Sequence, residues 1–124
     1  MNGVDSRLAE LGARYQASLP IKRASVELAW QSLRAEASDP VRLESLQRVV
    51  HRIAGSAASY GYEEIGALAS QVDEGLEALR HLDVARRNVA SIDATLSALA
   101  PLFERLIDAL ARGCGPSPPI KRTH

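Results

Sequence analysis

Hydrophobic residues recur at steps of three and four along most of this chain, and no stretch sustains the alternation of a strand. Five segments carry the helical period. In the first, Leu8, Leu11 and Tyr15 share a face, and the segment is expected to stop before Leu19-Pro20. The second runs from about Pro20 to Ala37 with Val26, Trp30 and Leu33 on one side, and Pro20 suits a first helical turn, where its missing N–H would lack a partner anyway. Asp39-Pro40 then reads as an N-cap followed by a first helical position. From there Leu43, Leu46, Val50, Ile53, Ala57 and Tyr60 form a bundle seam, and Gly61 is placed to end the helix in the left-handed conformation. The fourth segment, from about Tyr62 to Arg80, repeats Ile65, Leu68, Val72, Leu76 and Leu79. The fifth, from about Val84 to Ala111, repeats Val89, Ile92, Leu96, Leu99, Phe103, Leu106 and Leu110, and Pro101 predicts a kink near Ser97 or a local break.

Four long amphipathic helices joined by short loops predict an all-α fold: an antiparallel four-helix bundle with a short N-terminal capping helix. Residues 1–112 are assigned to the bundle and residues 113–124, with little to bury, to a flexible C-terminal tail.

Composition sharpens this picture in a few places. Hydrophobic residues make up 46% of the 124 and aromatic ones only 4%, so the core is built mainly of Leu, Val, Ile and Ala. Fifteen basic residues balance fifteen acidic ones, and the basic pairs are too short to form stripes, so nucleic acid and membrane surfaces are not expected partners. No apolar run approaches the ~20 residues that span a bilayer. Cys114 has no second cysteine to pair with, which fits a reducing cytoplasm. The start of the sequence lacks the basic and apolar regions of a secretory signal. The three histidines are too scattered for a metal site, and no glycine-rich loop is present to cradle a nucleotide's phosphates. No cofactor is expected.

One histidine stands out. At about 100° per residue, His51 falls roughly 130° from the mean direction of its helix's seam, so its imidazole should face solvent. The residues three, four and seven positions further on are Ala54, Gly55 and Ala58, all small, which leaves the ring open to a large partner. A glycine within a helix costs roughly 1 kcal/mol relative to alanine, and access to the imidazole is a reason for Gly55 to be there. A neutral imidazole keeps one ring nitrogen free as a nucleophile. Phosphoryl transfer asks little more of an acceptor than position and access.

The stretch His51, Ile53, Gly55, Ser56, Ala57, Tyr60, Gly61 resembles the signature of histidine-containing phosphotransfer (HPt) domains. Leu68, Val72 and Asp73 resemble the family's following helix, and the helical layout from about Leu8 to Leu110 is similar as well. The resemblance implies a cytoplasmic, monomeric phosphoryl carrier of a two-component phosphorelay, without ATP-dependent kinase activity of its own. His51 would take a phosphoryl group on its far ring nitrogen from the aspartate of one receiver domain and yield it to another. Receiver domains of response regulators, or a hybrid histidine kinase, would be the partners, and the magnesium ion would belong to the receiver. Gln47, Arg48, Arg52, Ala54, Gly55 and Ala58 would form the access and docking surface around His51. The excess of arginine over lysine points to a bacterial source.

One departure from the family pattern stands beside the nucleophile. Ala54 occupies the place where members often carry a lysine, and Arg48, one turn before His51, is the candidate to replace its charge. That substitution sustains a second reading, a helical adaptor that binds a receiver or kinase partner without accepting phosphate.

Overall fold

The computed structural model describes the backbone of residues 3–81 and 89–113, and the side chains of residues 6–81 and 91–113. It contains four α-helices: α1 (Gly3–Ala35), α2 (Pro40–Ser56), α3 (Glu63–Arg80) and α4 (Val89–Gly113). A 3-10 turn, Ala58–Tyr60, joins α2 to α3, and no strand occurs among the described residues. The expected start of the last helix at Val84, and the tail beyond Gly113, lie outside the described residues.

The helices pack in a ring, α1 on α2, α2 on α3, α3 on α4 and α4 back on α1. Seams expected from the sequence supply the core: Leu43, Leu46, Val50 and Ile53 from α2, Ile65 to Leu79 from α3, and Ile92 to Leu110 from α4 are buried. No polar or charged side chain is buried among the described residues, so the bundle is held by apolar packing. Trp30 of α1 and Phe103 of α4 stack at its centre with ring centroids 4.1 Å apart.

One proline expectation needs correction. The first two segments are not a capping helix and a separate partner but one 33-residue helix that runs through Pro20. Burial explains why. Tyr15, Leu19, Val26, Trp30 and Leu33 form one stripe across the proline, and it packs on α2 and α4 along that length. Pro20 itself is exposed, so the carbonyl that loses its helical donor can be solvated. Pro101 likewise lies on the exposed side of α4, which passes through it without a break.

The ends of α2 show the same interplay of local and tertiary forces. Asp39 caps the helix as expected, its Oδ1 accepting from the Val41 N–H at 2.9 Å with Pro40 in the first turn. Its other oxygen accepts from Arg42 Nε at 3.2 Å, while Arg42 Nη1 donates to the Ser32 carbonyl of α1 at 2.9 Å. Replacing Asp39 by alanine should therefore lower stability by about 1 kcal/mol, read as an earlier urea midpoint with an unchanged slope. At the other end α2 stops at Ser56, earlier than the seam implied, and Gly61 takes the left-handed conformation at φ +90°. Tyr60 consequently leaves the core. It is exposed and stacks on Tyr15 with centroids 4.3 Å apart. The hydroxyls of Tyr15 and Ser56 lie 2.8 Å apart, which ties the last turn of α2 to α1.

At about 1.5 Å per residue, α1 is far longer than α2. Ser56 at the end of α2 meets Tyr15, and Gly113 at the end of α4 lies beside Leu19, so the first turns of α1 extend past both partners. Leu8 and Leu11 lie near the azimuth of the buried stripe yet are exposed. They flank the end of the bundle that carries His51.

Candidate functional site

His51 projects from the solvent side of α2 with 75% of its side chain exposed. The seam of α2 dictates this, because Val50 and Ile53 are turned inward on either side of it. Across the α2–α3 junction, Oδ2 of Asp73 lies 2.8 Å from Nδ1 of the imidazole. A carboxylate can only accept, so the proton belongs on Nδ1 and donates to Asp73. In a neutral ring that leaves Nε2, the nitrogen on the far side, unprotonated with its lone pair outward.

Asp73 is held by a wider polar network. Gln47, one turn before His51 on α2, donates through Nε2 to Asp73 Oδ1 at 3.3 Å and to Glu77 Oε1 at 2.6 Å. Arg80 Nη1 donates back to Gln47 Oε1 at 3.1 Å. His81 Nε2 lies 2.6 Å from Glu77 Oε2. The Gln47 amide, and after it His81, hold the Glu77 carboxyl below the usual carboxylate range. The antiparallel register makes these meetings possible: four residues back along α2, from His51 to Gln47, correspond to four forward along α3, from Asp73 to Glu77.

The six surface residues expected around His51 divide into separate groups. Gln47, Arg48 and Arg52 line one groove with His51, together with Glu44 and the α3 residues Asp73, Glu74, Glu77 and Arg80. Arg48 pairs with Glu44 on its own helix at 3.5 Å, and both side chains are more than half exposed. Gly55 lies in a second groove on the flank facing the start of α1, lined by Leu8, Leu11, Gly12, Ser56, Ser59 and Tyr60. A Cβ added to Gly55 would meet nothing within 4 Å, so the backbone is open there. Gly55 is also the next-to-last residue of α2, and its cost to the helix is smaller than a mid-helix position implies. Ala58 is exposed but belongs to the 3-10 turn, outside the helix on which its spacing from His51 was reckoned. Ala54 departs furthest from expectation. It is half-buried and packs against the core, not on the open patch.

His51 thus stands between a polar wall from α3 and an apolar flank from α1 and Tyr60. In the sequence Asp73 fits the family pattern without an evident role, and nothing singles out Glu77 or Arg80. Their signal was a run of charged residues at i, i+4 and i+7 beside the α3 seam, which becomes a site only when α2 supplies its partner. Among the described residues no group of His, Cys, Asp or Glu is placed to hold a metal ion, and no helix is long and apolar enough to cross a membrane.

A family model for the Hpt domain matches residues 8–113, nearly the whole described length. The chain belongs to the Hpt domain family. Hpt domains are helical bundles that act as phosphocarrier modules in phosphorelays, working with receiver domains and kinases. No curated protein and no solved structure matches this chain.

Proposed function

We propose that this Hpt domain relays phosphoryl groups between aspartates of receiver domains, with His51 as the residue that carries them. The observation that bears most weight is the two-sided setting of the imidazole, with Nδ1 on the Asp73 carboxylate and the rest of the ring in solvent. The lone pair of Nε2 attacks the phosphorus of an aspartyl phosphate. The N–P bond forms, the O–P bond breaks, and the partner's aspartate leaves as a carboxylate. The proton on Nδ1 stays where it is, so no general base is required. Positive charge develops on the ring, and Asp73 faces it directly. In the return step an aspartate oxygen of a second receiver attacks the phosphorus and the N–P bond breaks.

Arg48, Arg52 and Arg80 line the groove beside the imidazole and supply cations for the phosphoryl oxygens in place of the lysine that Ala54 replaces. The magnesium ion is assigned to the receiver, and the chain itself is read as a carrier that needs no cofactor. Docking is assigned to both flanks of His51, through the exposed Arg48 and Arg52 on one side and the apolar surface around Gly55 on the other. A bulky residue at Gly55 should crowd that approach: Gly55→Gln is expected to slow transfer, whereas Gly55→Ala should keep the wild-type rate and stabilise the fold by less than about 1 kcal/mol. Single-turnover transfer rates alongside urea denaturation separate the two effects.

The reading is tested by incubating the protein with a phosphorylated receiver domain and magnesium, without ATP, and looking for an acid-labile, base-stable phosphate. Transfer is expected. A panel of receivers that bind the protein but transfer nothing would favour the adaptor reading instead.

A further inference from the structure

We propose that Gln47 is a positioning residue for the phosphoacceptor: it aims the Asp73 carboxylate at Nδ1 of His51 and so sets the tautomer that leaves Nε2 free. This rests on the functional reading above and assigns Gln47 a task other than contact with the partner.

Asp73 and Glu77 lie one turn apart on α3, and both reach toward the same point on α2. Like charges in that arrangement repel, and with nothing between them each would swing toward water. The Gln47 amide carries two hydrogens and spends them on both acids, at 3.3 Å to Asp73 Oδ1 and 2.6 Å to Glu77 Oε1. With Oδ1 engaged, the remaining Asp73 oxygen, Oδ2, is the one that meets the imidazole.

The orientation of the amide is itself determined. Arg80 can only donate, so the group it meets at 3.1 Å must be the Gln47 carbonyl oxygen, and the NH2 must face the acids. A lysine or arginine at position 47 would neutralise Asp73 and compete with His51 for it. A glutamate would add a third negative charge and no donor. Glutamine is neutral, reaches both acids and leaves the charge of Asp73 available to the ring. Its side chain is half-buried between the helices, in contrast to the exposed Arg48 and Arg52 beside it. That placement suits a residue acting inward on Asp73.

The test uses the full chain carrying Gln47→Ala, Gln47→Glu, Asp73→Ala, or Gln47→Ala with Asp73→Ala. Heteronuclear NMR of the imidazole nitrogens reads the His51 tautomer with no phosphoryl donor present, so this readout holds whether or not His51 is the acceptor. The wild type should show the Nδ1–H form. Gln47→Ala should give a mixture of tautomers, and Gln47→Glu, of the same length, should depart further. In single-turnover transfer from a phosphorylated receiver, Gln47→Ala should lower the saturated rate about three- to tenfold, the factor expected for one hydrogen bond. The half-saturating receiver concentration should not change. In the Asp73→Ala background, Gln47→Ala should add nothing, because it acts through that residue. The proposal is overturned if Gln47→Ala keeps the wild-type tautomer. It is also overturned if the loss appears as weaker receiver binding, or recurs in full without Asp73. If no receiver phosphorylates the wild type, the functional reading fails and the tautomer alone decides the role of Gln47.

Discussion

A His51→Gln variant is expected to accept no phosphoryl group from any receiver that labels the wild type, while its helix content stays the same. The two halves of this expectation have separate causes. Glutamine can occupy the space of the imidazole, but its amide has no basic nitrogen lone pair with which to attack phosphorus. Three-quarters of the His51 side chain is exposed, and the core is formed without it. Substitutions at such a position change stability by no more than about 0.5 kcal/mol. Labelling followed by acid and base treatment reads the first half, and circular dichroism with urea denaturation reads the second. A variant that still takes label would move the acceptor elsewhere, and one that unfolds would show that the imidazole holds the α2–α3 junction together.

Asp73→Ala should slow transfer without abolishing it, by roughly ten- to a hundredfold, the cost typical of removing a group that orients a metal-bound imidazole. Without the carboxylate, the proton is free to sit on Nε2, which removes the nucleophile from part of the population. Among the described residues no other carboxylate is hydrogen-bonded to the ring to face its developing charge, and Glu77 is engaged by Gln47 and His81. Asp73→Asn should fall between the two, because its carbonyl oxygen can still accept from Nδ1–H but carries no charge. Single-turnover rates on the three proteins at saturating receiver check the ordering. Equal rates for wild type and Asp73→Ala would mean that the 2.8 Å contact contributes nothing to transfer.

The seams of α2, α3 and α4 were legible because each buries one face, and a buried face must repeat at the helical period. Asp39-Pro40 was legible because capping is local chemistry. Pro20 misled for the complementary reason. A proline is a local signal against helix, but Tyr15, Leu19 and Val26 are held by α2 and α4, and that packing outweighs one missing hydrogen bond. Tyr60 fell on the seam only by counting past Ser56, where the helix in fact ends. The exposure of His51 followed from its azimuth alone. Its partnership with Asp73 did not, because periodicity gives the inward face of each helix and is silent on the register between two of them. Ala54 shows the same limit: small residues read alike from the sequence whether they clear a path or fill a junction, and this one packs against the core.

The most direct test of the central claim is to phosphorylate the protein from a receiver domain, map the modified residue by mass spectrometry, and identify the bonded nitrogen by phosphorus and nitrogen NMR. The expected product is a single phosphohistidine at His51, bonded through Nε2 with the proton still on Nδ1. Phosphate on another residue, or on the Nδ1 that Asp73 engages, would contradict it.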